Sequence, residues 1–458
     1  MPGTVWPLDE RGCPSGSVES AAREALSKAV WRMMSFYDVP LADLDRAQQA
    51  DPDWAMPHVA RAGFLASLTE PSLQAEAQTH LAAAQACTRP APLRELAHLS
   101  AVGHVLQGRW GAAARVWDEL LVLHPRDALA LQWSQLADFY AGDLVQLRQR
   151  PARALPEWDD ADPLRPYVMA LYAFGLEENH LHAQAEEVAR QALALEPRVP
   201  WAIHAVAHVM EMQGRHEEGS AWLAQHQPVW TEGNGFACHL WWHKGLFRLE
   251  GLDRAGALRL VDSHLSGPAM QITLNRVDAA ALLWRLYLLD EDVSALASAL
   301  VDGWTADPDR DAGFSAFNDL HHTLACLAAG RVAAAESWVA RCAARVLADG
   351  EARRDNHAVA RRVGLPLMRA LLAFGRGRWN EAVDGLYAHR SRAQALGGSH
   401  AQRDLVDLTL MAAAARAPAG AACRANGRAV LNERLLARAE TPLTRHWIDA
   451  LHGAGSAP

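Results

Sequence analysis

The chain lacks the features that mark most membrane, secreted and nucleic-acid-binding proteins. It contains no run of 18 or more apolar residues, the length that a transmembrane helix requires. Its first residues, MPGTVWPLDERGC, do not show the basic segment and apolar run of a signal peptide. Basic residues number 44 against 53 acidic ones, and the resulting net charge of −9 predicts no general binding to nucleic acid.

Cysteine is scarce, and its spacing excludes two kinds of structural framework. The chain of 458 residues has six cysteines, which lie far apart and form no Cys-x-x-Cys pair. This pattern indicates reduced thiols rather than a disulfide framework or a zinc knuckle. We therefore expect a soluble, cytoplasmic protein with no membrane partner.

What the chain does contain is a turn signal that recurs between apolar segments of helical length. The turns fall at Gly108-Arg109, Gly142-Asp143, Asn179-His180, Gly214-Arg215, Gly251-Leu252, Asp290-Glu291, Gly330-Arg331 and Gly377-Arg378. The steps between them are 34, 37, 35, 37, 39, 40 and 47 residues. Because runs of β-branched residues are few, the pattern predicts an all-α fold.

The period and the alanine-rich second segments are typical of a tetratricopeptide-like solenoid of helical hairpins. We predict the first helix of each hairpin near 95–106, 130–141, 166–178, 201–213, 236–250, 276–289, 315–329 and 357–376. The later, longer repeats predict an irregular curved superhelix, either open or closed around a central cavity. The proline-rich stretch 151–166 is expected to interrupt one hairpin.

Three segments follow from this organisation. Residues 1–90 are predicted to form an N-terminal helical segment that continues into the array. Residues 91–392 hold the tetratricopeptide-like repeats, and residues 393–458 a C-terminal helix pair and tail.

Histidines occupy the first helices of two consecutive repeats at helical spacing. His204, His208 and Glu211 follow one another at i, i+4 and i+7, so they share one helix face. His239 and His243 repeat the i, i+4 spacing in the next first helix. Since the two helices have the same repeat phase, we expect four imidazoles and a carboxylate to converge as candidate metal ligands.

Further polar residues recur in the same phase of later repeats. The candidate catalytic residues are the four histidines together with Asp319 and His322, whereas His321 is expected to point elsewhere. The candidate substrate-binding residues are Trp242, Asp278, His357, Arg361 and Arg403.

Three interpretations of the histidines stay open. They could bind one divalent metal such as zinc, iron or manganese, act as metal-free acid–base groups, or serve packing alone. The glutamate is not placed as in His-Glu-x-x-His, which excludes a zinc protease of that type. Neither a phosphate-binding loop nor a Gly-x-Gly-x-x-Gly turn after a strand is present, so no nucleotide cofactor is expected.

Several of these blocks together resemble the tetratricopeptide-repeat protein 38 family. HAVAHVMEMQGR, WWHKGLF, NRVDAAALLWRL, NDLHH and GGSHAQRD occur in that family's order across roughly residues 90–440. The resemblance implies an all-α repeat fold in a soluble cytoplasmic protein, and it implies no particular reaction. It marks His204, His208, Glu211, His239, His243, Asp319, His322, Ser399, Gln402, Arg403 and Asp404. Ala281 stands where the family would carry a serine.

Two functions fit these observations. The first is an enzyme that holds a small polar substrate and performs hydrolysis, elimination or isomerisation, with Arg403 or Arg361 orienting an anionic group. The alternative is an adaptor whose concave surface binds a protein or peptide and whose histidines are structural. The mostly apolar first helices, and Trp241 and Trp242 beside the second histidine pair, indicate an enclosed pocket and favour the enzyme.

Overall fold

The computed structural model describes residues 5–348 and 354–453. Within these residues the secondary structure is helical, apart from two isolated β-bridges that pair Leu8 with Pro14 and Tyr37 with Asn234. The all-α prediction is confirmed.

The helices follow one another with short connections. The helices up to residue 231 are α1 (Ser20–Ser35), α2 (Leu41–Ala50), α3 (Met56–Ser67), α4 (Gln74–Ala86), α5 (Leu93–Leu106), α6 (Trp110–Leu123), α7 (Ala128–Ala141), α8 (Leu144–Ala154), α9 (Arg165–Glu177), α10 (His182–Leu195), α11 (Pro200–Met212), α12 (His216–Gln225) and α13 (Gln227–Thr231). The remaining ones are α14 (Ala237–Glu250), α15 (Arg254–His264), α16 (Thr273–Leu288), α17 (Ser294–Asp302), α18 (Pro308–Asp311), α19 (Ala316–Ala328), α20 (Val332–Val346), α21 (Asp355–Val359), α22 (Leu365–Gly375), α23 (Trp379–His389), α24 (His400–Arg403), α25 (Leu405–Arg416), α26 (Cys423–Ala437) and α27 (Pro442–His452).

The chain forms two compact units. The first comprises the residues up to Val206 together with Pro228–Phe236, and the second comprises Ala207–Gln227 and the residues from Ala237 onward. The boundary falls inside α11. The three segments predicted from the repeat pattern divide the chain at other positions, after residues 90 and 392, and that division stays a prediction.

Each predicted turn contains one residue in the left-handed region of φ, where the chain reverses between two helices. Glycine adopts this conformation at least cost, and it does so at Gly108, Gly142, Gly214, Gly330 and Gly377. The other three turns place a residue with a side chain there, namely His180, Leu252 and Asp290. The turn signals in the sequence are therefore confirmed, and consecutive helices such as α5 and α6 pack as hairpins.

Small residues let the two helices of a hairpin approach each other. In α10 the buried positions are Ala185, Ala189 and Ala192, which lie on one face against α9. In α6 the buried Ala113 lies one turn before the buried Trp117. The alanine-rich second segments of the sequence thus form the inner faces of the hairpins.

Two prolines lie inside helical segments. The helix α8 continues through Pro151, so the non-helical stretch of this connection begins only at Trp158, after a short 3₁₀ turn. Ahead of Pro366, residues Ala360–Gly364 form a π-helical turn between α21 and α22. Proline has no N–H to donate to the preceding turn, which accounts for this widening.

The core of the second unit includes two tryptophans from neighbouring helices. Trp242 of α14 and Trp284 of α16 are both 0% exposed. The indole N–H of Trp284 donates a hydrogen bond of 2.8 Å to Oγ1 of Thr409 in α25. Trp284 therefore joins α16 to α25 through both packing and a satisfied polar group. Across residues 5–348 and 354–453, no helix combines the length and apolar character needed to cross a membrane.

Replacing Trp284 should destabilise the protein strongly. Trp284→Ala leaves a large cavity between α16 and α25, and we expect the free energy of unfolding to fall by about 3–5 kcal/mol. Urea denaturation followed by circular dichroism measures this change. Leu436→Ala is the control, since that side chain is 90% exposed and its removal should change stability by less than about 0.5 kcal/mol. Equal stability of the two variants would contradict the assigned packing.

Candidate metal centre

Three histidines of the second unit meet where α14 faces the end of α11. His208 comes from α11, and His239 and His243 come from successive turns of α14. One side-chain nitrogen of each lies within 4.8 Å of the others. The rings of His208 and His243 are 4.5 Å apart and those of His239 and His243 are 4.8 Å apart, between centroids. His208 and His243 are fully buried, whereas the His239 side chain is 16% exposed.

Two of these histidines contact a buried carboxylate through Nδ1. His239 Nδ1 lies 2.8 Å from Oδ2 of Asp278 in α16, and His243 Nδ1 lies 3.1 Å from Oε2 of Glu211 in α11. An Nδ1–H that donates to a carboxylate leaves the lone pair on Nε2, the arrangement that metal-binding histidines commonly show. Asp278 and Glu211 thus orient the imidazoles, whereas the sequence suggested a substrate contact for Asp278 and a metal ligand for Glu211.

Burial favours the neutral imidazole at His208 and His243. It lowers the pKa of His208 well below its usual value, and the charges that His239, His400 and Arg403 can carry lower it further. It also lowers the pKa of His243 well below its usual value. A neutral imidazole has the lone pair that a metal ion requires.

The pKa of Glu211 is shifted upward, in the opposite direction to the pKa of His208 and His243. Burial raises the pKa of Glu211 to about 8, although Arg438 and Arg285 act to lower it. Near neutral pH the proton of its contact with His243 can therefore lie on Glu211 or on Nδ1, and a metal ion on Nε2 would leave that proton on Nδ1. A cavity of about 20 Å³ lies beside Glu211, lined also by Glu250, Arg285 and Asp404. That volume suits about one water molecule, so this cavity is too small for a substrate.

Buried ion pairs surround this cavity. Arg434 donates to Oε1 of Glu250 at 3.0 Å and to Oδ1 of Asp404 at 2.6 Å. Arg438 donates to the same Asp404 oxygen at 3.1 Å. These arginines hold the pKa of Asp404 well below its usual range despite its burial.

The structure assigns a role to Arg285, which the sequence analysis did not single out. It is 5% exposed and donates to the carbonyl oxygens of Ala281 at 3.0 Å and Ala401 at 2.5 Å. Its guanidinium also lies 5.6 Å from the ring centroid of Trp242, whose ring stacks on His239 at 5.1 Å. Trp242 is thus close to the histidines, as predicted. The signal available in the sequence was a charged residue within the apolar run AAALLWRLYLL.

His204, the fourth predicted histidine, belongs to the first unit. It precedes His208 by one turn of α11 and is 1% exposed. Within its own unit its ring packs against Trp201 at 4.7 Å, Phe236 at 4.9 Å and Phe174 at 5.4 Å.

Helix α19 presents a different face from the one we expected. His322 packs between Trp304 and Trp338, with ring centroids at 5.1 and 3.9 Å. Asp319 accepts a hydrogen bond of 3.1 Å from the amide of Gly313, and burial raises its pKa to about 7. Both residues serve the packing of α19 beside α20 and do not join the histidine cluster.

His321, set aside in the sequence analysis, is the residue of α19 that faces the site. Its Nδ1 donates a 2.8 Å hydrogen bond to the carbonyl of Phe317, which leaves the lone pair on Nε2. Burial lowers its pKa to about 4, and the charges of Asp278 and Arg285 also act on it. Nearly every residue of α19 is buried, so periodicity could not distinguish the two faces.

The other residues that the sequence predicted for the site lie in different parts of the second unit. Arg403 donates to Gly398 and lies 3.2 Å from Nδ1 of His400, and both affect the pKa of His208. Ser399 and Gln402 form a capping box for α24. Arg361 instead donates at 2.7 Å to the carbonyl of Val346, the last residue of α20.

His357 is 1% exposed in α21, a helix that packs against α19. Its predicted contact with a substrate stays a prediction.

A comparison with protein-family models finds none that matches the chain. The resemblance to the tetratricopeptide-repeat protein 38 family therefore rests on the sequence blocks alone.

The packing of His322 predicts a pH dependence. Burial lowers its pKa from 6.5 to about 3, so between these values the unfolded chain binds a proton that the folded chain does not. The free energy of unfolding should therefore decrease as the pH falls below 6.5, and His322 contributes about 1.4 kcal/mol per pH unit. His322→Phe should make this slope shallower by that amount in urea denaturation at several pH values. The partly exposed His389 offers the control variant His389→Gln, and an unchanged slope for His322→Phe would contradict the assignment.

Proposed function

We propose that this protein is a metal-dependent enzyme that binds one divalent transition-metal ion through His208, His239 and His243. The observation that carries the proposal is the pair of Nδ1–carboxylate contacts, His239 with Asp278 and His243 with Glu211. Burial alone requires a hydrogen-bond partner for each ring, but it does not require the lone pairs of neighbouring rings to converge. A metal ion does, because it needs the lone pairs of neighbouring imidazoles turned toward one point.

The donor set favours zinc, with iron(II) as the second choice. Imidazole nitrogen suits both ions, whereas manganese prefers carboxylate and water oxygens. The two carboxylates that contact His239 and His243, Asp278 and Glu211, are engaged by histidine Nδ1 atoms. Manganese, which the sequence left open, therefore fits this donor set least well.

Three protein ligands are typical of catalytic rather than structural zinc, since they leave a position for water or substrate. A metal in this place would polarise a bound oxygen. The positive charge of Arg403, which acts on His208, favours a substrate with an anionic group. We propose hydrolysis, elimination or isomerisation of such a small polar compound.

The proposal also includes the arrangement of the helical hairpins as repeats. The hairpins and their turns support a tetratricopeptide-like arrangement and kinship with the tetratricopeptide-repeat protein 38 family. All six cysteines are free thiols, which supports a reducing, cytoplasmic location.

The burial of the histidines weighs against the adaptor function. His208 and His243 have no exposed surface, and a peptide that lies on a surface groove would not reach them. A single ion can be enclosed in this way. The adaptor therefore stays the second choice.

Metal analysis of the untagged protein tests the proposal. After removal of metal with a chelator and exposure to zinc, mass spectrometry of the elements should find bound zinc in the chain. His243→Ala should lower the zinc content by about one ion per chain while the circular dichroism spectrum stays helical. A folded His208→Ala/His243→Ala variant whose zinc content equals that of the wild-type chain would refute the assignment.

The carboxylates give a second prediction. Asp278→Asn and Glu211→Gln keep the size of the side chain but weaken the orientation of Nδ1–H, so zinc affinity should fall by about 10- to 100-fold. Competition with a chromophoric chelator measures the affinity. Asp292→Asn is the matched control, because Asp292 is an exposed acid of the same unit. Affinities equal to that of the control would show that neither acid supports the metal.

A further inference from the structure

Helices α3 and α4 bring two histidines into direct contact in the first unit. Nδ1 of His58 and Nδ1 of His80 are 3.2 Å apart, and the ring centroids are 5.4 Å apart. Both rings are partly exposed to solvent, and neither belongs to the three-histidine centre. The pair joins two helices that pack along each other.

The separation of the two nitrogens is close to that imposed by a tetrahedral metal ion. With metal–nitrogen distances of about 2.0–2.1 Å, two ligands at the tetrahedral angle are separated by about 3.3–3.4 Å. An N–H···N hydrogen bond occupies a similar range. The distance is therefore compatible with a metal ion between the two nitrogens and with a hydrogen bond between them.

The surroundings favour the neutral form of both rings, which suits a metal ion and an N–H···N hydrogen bond alike. Burial lowers the pKa of His58, and the charges of His80 and Arg61 lower it further. Burial and Arg61 likewise lower the pKa of His80, although Glu76 and Asp45 act to raise it. Arg61 is itself neutralised, since it donates to the Asp45 carboxylate and, at 3.0 Å, to the carbonyl of Leu41.

A carboxylate stands one turn away from the pair. Glu76 precedes His80 by four residues in α4, so the two side chains share a helix face. It is exposed, and its charge acts on His80. Because its side chain is exposed, its carboxylate is free of packing constraints.

We propose that His58 and His80, completed by Glu76 and water, form a second site for one divalent transition-metal ion such as zinc. The ion would connect α3 to α4 and stabilise the first unit. Histidines on adjacent helices with a carboxylate at i, i+4 supply the ligand types that zinc accepts. This site does not depend on the proposed enzyme function.

Zinc titration of the full chain tests the site without the central one. In a His208→Ala/His243→Ala background, calorimetry should still detect about one zinc ion per chain, and the midpoint of thermal unfolding should rise with zinc concentration. Adding His58→Gln or His80→Gln should remove both effects, whereas Glu76→Gln should weaken the affinity. His124→Gln, a partly exposed histidine of the same unit, should change neither.

If the background variant does not fold, the wild-type chain serves instead. Its zinc content should then drop from about two ions to about one on His58→Gln. The result that would overturn the proposal is a hydrogen-bonded pair only, in which His58→Gln lowers stability equally with and without zinc. Failure of the central site removes the other ion and leaves this result intact, so the two proposals fail separately.

Discussion

The interior of the second unit depends on the pairing of its buried charges. Arg434 is held between Glu250 at the end of α14 and Asp404 at the start of α25, and Arg438 supports the same aspartate. Removing one partner from such a buried pair leaves an uncompensated charge that costs about 3–5 kcal/mol. This network fixes α14 relative to α25 and α26, and α14 is the helix that carries His239 and His243.

The same requirement for satisfied polar groups shapes the histidine centre. Imidazole rings buried in an apolar core must find hydrogen-bond partners, and Asp278 and Glu211 provide them from neighbouring helices. Each contact also determines which ring nitrogen keeps its lone pair. The packing constraint and the capacity to bind a metal therefore arise from the same two hydrogen bonds.

Part of this centre could be predicted from the chain alone. The i, i+4 spacing of His239 and His243 placed both on one face of a helix, and the repeat phase brought His208 to the same region. The choice between His321 and His322 could not be made from the sequence, because almost all of α19 is buried and its faces carry no distinct pattern. Arg285 escaped notice because an arginine normally lies at a surface.

Helix positions and turns were within reach of the sequence because they depend on neighbours within a few residues. Left-handed φ at every predicted turn, from Gly108 to Gly377, is a local consequence of a helix ending. The sequence could not predict the partners of the histidines. His239 and Asp278 are 39 residues apart, and His243 and Glu211 are 32 residues apart. Only the packing of whole helices brings such groups within hydrogen-bond distance, and this packing converts the two acids from candidate ligand and substrate contact into groups that orient the imidazoles.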